Sequence, residues 1–328
     1  MKGFKGRVAQ LKDTLFPKET IESFWEEKKM DKTSWIKVVG SDLFHLISAA
    51  VETMGAKFLS VAVFSLNEKQ IDVVRKLGEL WISLRGRETH PPNSQDSSAK
   101  KATRAFFMDL SKVVLQGKEL VLVTILCPNH QFDSEGIFID DKIHPKAKKA
   151  AQEFEEIRQL FRQAGVKNLR HNILFGDVDL SQALKDRFSQ KELKDQLEKN
   201  FGVWKKLFSG EEVKFLKMTS IFSENEWEKC QREFLKKIQG GFLFNQVKKV
   251  TDGRGDRFAR MSGRDVSSEE ALRRTQDSVA AHLATNSILE KLFSDVIFID
   301  ASGAIDLLWT WSSTLCLSMV KNHQPWRD

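Results

Sequence analysis

Glu119-Leu-Val-Leu-Val-Thr-Ile-Leu126 is the stretch that decides the fold. Its apolar residues run on without the alternation of a half-buried strand, so both faces are covered, as inside a parallel sheet. The pattern repeats downstream. Pro145 to Ala164 carries Ala147, Ala150, Phe154, Ile157 and Phe161 on one helical face, and Leu169 to Phe175 is the next strand. A long helix is expected from about Ser181 to Phe208, marked by Leu184, Leu193, Leu197, Phe201, Trp204 and Phe208. Val213 to Met218 is strand-like, Glu224 to Ile238 helical, and Val296 to Ile299 a late strand. Strands buried on both faces and separated by helices of this length are joined by right-handed crossovers. The expected fold is α/β: a Rossmann-like, mostly parallel sheet with helices on both faces.

Upstream, Arg85 to Thr103 replaces apolar residues with Pro, Ser, Asn and charge, and reads as a linker or exposed loop. It sets a smaller N-terminal α/β segment, residues 1–85, apart from the Rossmann-like domain, residues 104–328, with residues 86–103 between them. In that segment Asp42 to Met54 and Glu68 to Leu84 read as helices and Phe58 to Phe64 (FLSVAVF) as a strand. Sheets wound in this way bind ligands beyond the carboxyl ends of their strands. The candidate pocket is therefore made of the loops Ser65 to Glu68, Cys127 to Gln131, Gly176 to Asp179, Thr219 to Ser223 and Asp300 to Ser302.

The 328 residues hold 52 Lys and Arg against 45 Asp and Glu, a net charge of +7 that favours an anionic partner such as tRNA, another RNA or a phosphorylated ligand. A hydrophobic content of 41% excludes wholesale disorder. Tyrosine is absent beside 24 Phe and 8 Trp, which excludes any mechanism that needs a phenol. Cys127, Cys230 and Cys316 are too far apart for a CxxC site, and their odd number fits a reducing compartment. Met1 to Val8 is basic with no apolar signal core behind it, so a cytoplasmic location is expected. No membrane partner is expected either, because the uncharged stretch Leu307 to Val320 is shorter than a span.

Several chemistries lack their motif. There is no GxxxxGK[ST], the lone Gly253-Arg-Gly255 lacks a third glycine, and neither HExxH nor GxSxG occurs. No cofactor and no resident metal are expected. Cys127-Pro128-Asn129-His130 places a thiol where a buried strand opens into the pocket, with an imidazole three residues on that can activate it. Ordinary packing of a buried cysteine is the competing explanation. Asp177 follows the second strand and suits a ribose hydroxyl, a substrate amine or a turn; Asp179 with Gln182 makes a helix capping box. Ser65 and Asn129 lie on the same rim as candidates for substrate contact. Along the helix that holds the uncharged stretch Ser278 to Leu289, Thr275, Ser278, His282 and Asn286 fall on one polar stripe, facing either a cavity or satisfied core partners. Arg254, Arg257, Arg260 and Arg264 sit in a glycine-containing basic stretch that suits phosphate backbones or solvent alike.

From about residue 118 to 300 the order of these elements resembles that of cyclodipeptide synthases, tRNA-dependent transferases whose fold is similar to the catalytic domain of class I tyrosyl- and tryptophanyl-tRNA synthetases. In that family an apolar strand ends in a turn bearing the serine that accepts an aminoacyl group, often with a proline and an asparagine close behind. Here the turn reads Ile125-Leu126-Cys127-Pro128-Asn129-His130. The strand end Ile173-Leu174-Phe175-Gly176-Asp177 follows, then the charged Ser181 to Phe208 helix, where the family places tRNA-contacting basic residues. The resemblance implies that role for Lys185, Arg187, Lys191 and Lys194 by position. Cys127 stands where the family has serine, and His282 and Asn286 stand where it has a Tyr and Glu pair. Cysteine accepts an acyl group as a thioester and histidine shuttles a proton, whereas asparagine does neither.

These readings lead to an acyl or aminoacyl transferase that uses an activated donor such as aminoacyl-tRNA through a covalent intermediate on Cys127. His130 or His282 would be the general base, with Asp177 and Asn286 positioning the substrate. Two alternatives stay open. One is a non-catalytic RNA- or nucleotide-binding protein on the same fold, which needs only the basic face. The other is a metal-dependent glycosyl- or nucleotidyltransferase that uses Asp177-Val178-Asp179.

Overall fold

Four strands form one sheet: β1 (Leu120–Leu126), β2 (Leu169–Phe175), β3 (Val213–Lys217) and β4 (Val296–Asp300). The structure is a computed structural model that describes residues 2–26, 32–54, 66–85, 97–126, 145–178, 188–208, 210–252, 264–292 and 296–300. The strand order is β3-β2-β1-β4 and every pairing is parallel. β1 lies against β2 from Leu120↔Leu169 to Leu126↔Phe175, and against β4 from Val121↔Val296 to Ile125↔Asp300. All four strands stand where the sequence placed them, β1 as an unbroken apolar run and β2 and β3 with polar residues among the apolar ones. The strand expected at Phe58 to Phe64 lies outside the described residues.

The pleat sends alternate residues to opposite faces, and each face is buried in its own cluster. Leu120, Leu122, Leu169, Ile173, Phe175 and Phe215 share one core with the helices α1 (Lys2–Leu15), α2 (Lys18–Glu26), α3 (Lys32–Thr53), α4 (Glu68–Arg85), α5 (Ser97–Gln116), α6 (Pro145–Gln163) and α7 (Gln190–Leu207). Val123 and Leu174 point the other way, toward α8 (Glu224–Gln239) and α10 (Ser268–Leu292), meeting Trp227, Ala281, Ala284 and Leu289. The short α9 (Phe244–Asp252) packs Val247 against Ile238, Val279 and Leu283. The sheet is thus covered on both faces, a Rossmann-like arrangement in the loose sense.

One expectation changes. Ser97 to Thr103, read as part of a linker or loop, belongs to α5, and residues 86–96 lie outside the described residues. Ala99, Lys100, Lys101, Ala102 and Arg104 are good helix formers, and Phe107 and Leu110 bury one side of the helix. Of the helix expected from about Ser181 to Phe208, residues 181–187 lie outside the described residues, and the described helix runs from Gln190. Ser189 caps it: its side chain accepts from the Glu192 backbone at 3.3 Å, and Glu192 Oε2 accepts from the Ser189 backbone at 2.9 Å. Among the described residues no helix is long and apolar enough to cross a membrane.

Candidate active site

The strand order places the site. From β1 the chain winds through α6 to β2 and through α7 to β3, over the first face of the sheet. It then returns past α8, α9 and α10, over the second face, to β4 on the far side of β1. The winding therefore reverses between β1 and β4, the place where sheets wound in this way take ligands, beyond the carboxyl ends of the strands. Leu126 ends β1, Asp300 ends β4, and Ile125 is paired with Asp300 in register. Cys127 is the next residue in the chain after Leu126. Cys127, Asn129, His130, Ser65, Lys185, Arg187, Arg254, Arg257 and Arg260 all lie outside the described residues.

Asp177 stands on this rim, two residues beyond β2, and is buried. The carboxylate accepts from the Thr219 hydroxyl and, at 3.3 Å, from the Thr219 backbone amide. Thr219 follows β3, so the pair ties the loops after two adjacent strands together. Burial pushes the Asp177 carboxyl above its ordinary range, opposed by the Thr219 hydrogen bonds and the nearby Lys217 charge. A carboxyl moved in this direction is better suited to hold or take a proton near neutral pH than a surface aspartate. Lys217 itself is paired with Glu198 and sits 4.9 Å from the centre of the Phe201 ring. Thr219 was legible only as a rim residue; that it partners Asp177 follows from β2 and β3 being neighbours.

A second polar group, which the sequence reading missed, runs into the first face of the sheet. His171 of β2 is fully buried, with Arg158 Nη1 3.1 Å from Nδ1 and Thr124 Oγ1 2.7 Å from Nε2. A guanidinium only donates, so Nδ1 accepts from Arg158 and the Nε2–H donates to Thr124. Burial and then the Arg158 charge lower the His171 pKa to about 3, which keeps the ring neutral. Arg158 continues outward to Glu155 through Nε at 3.1 Å and Nη2. Partial burial pushes the Glu155 carboxyl up but is outweighed by Arg158, Gln159 and Arg162, which hold it below its ordinary value. The clue lay in Arg170-His171-Asn172, three polar residues inside a strand whose other positions are apolar.

The other candidates separate by place. His282 and Asn286 fall within α10, on the helix that also packs Ala281, Ala284 and Leu289 against the sheet. Thr275 of the same stripe is buried and donates to the Ala271 carbonyl at 2.8 Å, so a core partner accounts for it. Lys191 and Lys194 are exposed on α7. Arg264 is engaged bidentately with Glu270 at 2.9 and 2.7 Å, and with Arg274 it holds that carboxyl down at about 2. Cys230 is partly buried among apolar residues, and burial pushes its thiol up, as suits packing rather than nucleophilic work. Among the described residues no group of three or more His, Cys, Asp or Glu side chains is placed to hold a metal.

No protein-family model matches the chain, and no curated protein matches it. Among solved structures it is similar to the PvcA protein from Pseudomonas aeruginosa, with a TM-score of 0.51 and 12% identity over 76% of this chain and 84% of that one. At that identity the likeness is one of fold. It supports the α/β reading and a loose structural resemblance, without a sequence family.

Proposed function

We propose that this chain is an enzyme of acyl or aminoacyl transfer, acting through a thioester on Cys127 with an activated donor such as aminoacyl-tRNA. The observation that carries the reading is that Cys127 directly follows β1, the strand at which the winding reverses. The similarity in fold to PvcA spans most of the chain. In the first step the Cys127 thiol gives its proton to His130 or His282 as sulfur bonds to the donor's acyl carbon. The bond to the donor's leaving oxygen breaks, and that oxygen takes up the proton. An acceptor amine or hydroxyl then displaces the thiol and restores it. Asp177, Asn129, Asn286 and Ser65 are the positioning groups of this proposal, and no step requires a cofactor.

Incubation with charged tRNA followed by intact-mass measurement tests it. An acyl adduct is expected on the parent protein and is expected to be lost in Cys127→Ala, while full transfer activity in that variant would overturn the reading. A second reading, RNA binding without catalysis, is favoured by Lys191, Lys194, Lys199, Lys205 and Lys206, all exposed on α7. It predicts salt-steep RNA binding that charge reversal at Lys191 and Lys194 weakens and Cys127→Ala leaves unchanged.

A further inference from the structure

The most exposed aromatic side chains among the described residues are Phe242, in the turn between α8 and α9, and Phe244, the first residue of α9, 43% and 62% accessible. The turn itself is tightly fixed. The Phe242 amide bonds to the Lys237 carbonyl at 3.0 Å and the Gly241 amide to the Ile238 carbonyl at 3.0 Å. With Gly241 at a φ of 99° this is a Schellman ending of α8, a conformation that glycine adopts without a Cβ penalty. Leu243 then takes a φ of 58°, accepts from the Val247 amide at 2.9 Å and turns its side chain inward against the Ile238 and Val247 cluster. A bulky residue at positive φ carries strain, and here the aliphatic side chain is spent on anchoring while the two rings on either side stand in solvent.

Basic residues stand on either side of the rings along the chain. Lys236 and Lys237 are exposed in the last turn of α8, and Lys248 is exposed one turn beyond Phe244 on α9, while Arg232 is paired with Glu228. The exposed amides of Gln239 and Asn245 flank the rings as well. We propose that this turn is a docking surface for single-stranded nucleic acid: bases stack on Phe242 and Phe244 while Lys236, Lys237 and Lys248 meet the phosphates. Every base offers a flat face to an aromatic ring, and unstacked strands alone leave those faces free. A lipid surface fits less well, because Leu243, Leu235, Ile238 and Val247 pack into the protein and leave only the two rings to insert. A second copy fits less well too, since a two-fold contact through this patch would bring its lysines against their own copies.

The proposal asks nothing of Cys127, so its test stands apart from the transferase reading. Fluorescence anisotropy of labelled ten-nucleotide oligouridine and oligothymidine is measured with the full chain, the Phe242→Ala/Phe244→Ala variant, Lys236→Ala/Lys237→Ala and Cys127→Ala. Ring removal is expected to weaken binding roughly five- to 150-fold per stacked base. Removal of the lysines is expected to flatten the dependence of log affinity on log salt by roughly 0.7 for each phosphate that is no longer neutralised. Cys127→Ala should bind as the parent does. Both rings are exposed, and an unchanged melting temperature shows that the variants are folded. Unchanged oligonucleotide affinity in the ring variant overturns the proposal. So does ring-dependent binding to vesicles of anionic phospholipid, or ring-dependent dimerisation in analytical ultracentrifugation, with no oligonucleotide effect.

Discussion

Asp177 and His171 are the two buried titratable groups on β2 and its rim, and burial moves them in opposite directions in pH. For Asp177 the folded value lies above the unfolded one, so its contribution is fully present below the unfolded value and is lost as pH rises through the folded value. Asp177→Asn removes that loss. Between pH 4 and pH 8 the melting temperature of the variant is expected to shift in its favour relative to the parent; a shift the other way would mean that the Thr219 bonds outweigh burial. For His171 the sign is reversed: the unfolded ring titrates near 6.5 and the folded ring near 3. Its contribution is therefore complete above pH 6.5 and is lost as pH falls toward 3, by up to roughly 1.4 kcal/mol per pH unit. Urea midpoints of the parent are expected to fall more steeply between pH 6.5 and pH 4 than those of His171→Gln. Parallel slopes would show that the ring does not stay neutral. Asp177 was legible as the polar residue after a strand, whereas His171 was hidden inside one.

At the scale of elements, strands read well because a segment buried on both faces has no room for alternation, and that signal is local. Helices read less well where composition competes with packing. Ser97 and Ser98 after Pro91-Pro92 have the look of a loop, yet they open α5, and the Ser189-x-x-Glu192 box that starts α7 was present in the sequence beside the more conspicuous Asp179 and Gln182. Packing also reverses the usual rule for glycine. In the interior of α4 Gly78 would ordinarily gain about 0.5–1 kcal/mol on replacement by alanine. Here the added Cβ would lie 2.1 Å from Phe16 Cζ, against a buried ring. Gly78→Ala is therefore expected to destabilise the protein by about 1–3 kcal/mol in chemical denaturation. Phe16→Leu in the same chain is expected to recover part of it, a coupling that a double-mutant cycle measures.

For the whole molecule, the Arg85 to Thr103 break pointed to an N-terminal segment set apart from the sheet domain. In the structure the helices α1 to α4 and the first face of the sheet share one apolar cluster, and Trp81 of α4 meets Phe107 of α5 edge-on at 4.7 Å. A fragment of residues 104–328 cuts α5 and takes Trp81 away from Phe107, which is buried in the full chain. It is expected to lack a cooperative thermal transition in circular dichroism; melting like the parent would show that the two parts fold independently. The order β3-β2-β1-β4 could not be read from periodicity, because an apolar run states that a strand is buried without naming its neighbours.

That order has one mechanical consequence. β1 is hydrogen-bonded along both edges, to β2 and to β4, whereas β3 has a partner on one side among the described residues. Up to Ile125 the central strand is a doubly braced post, so its position relative to an incoming molecule is set by two neighbours rather than one.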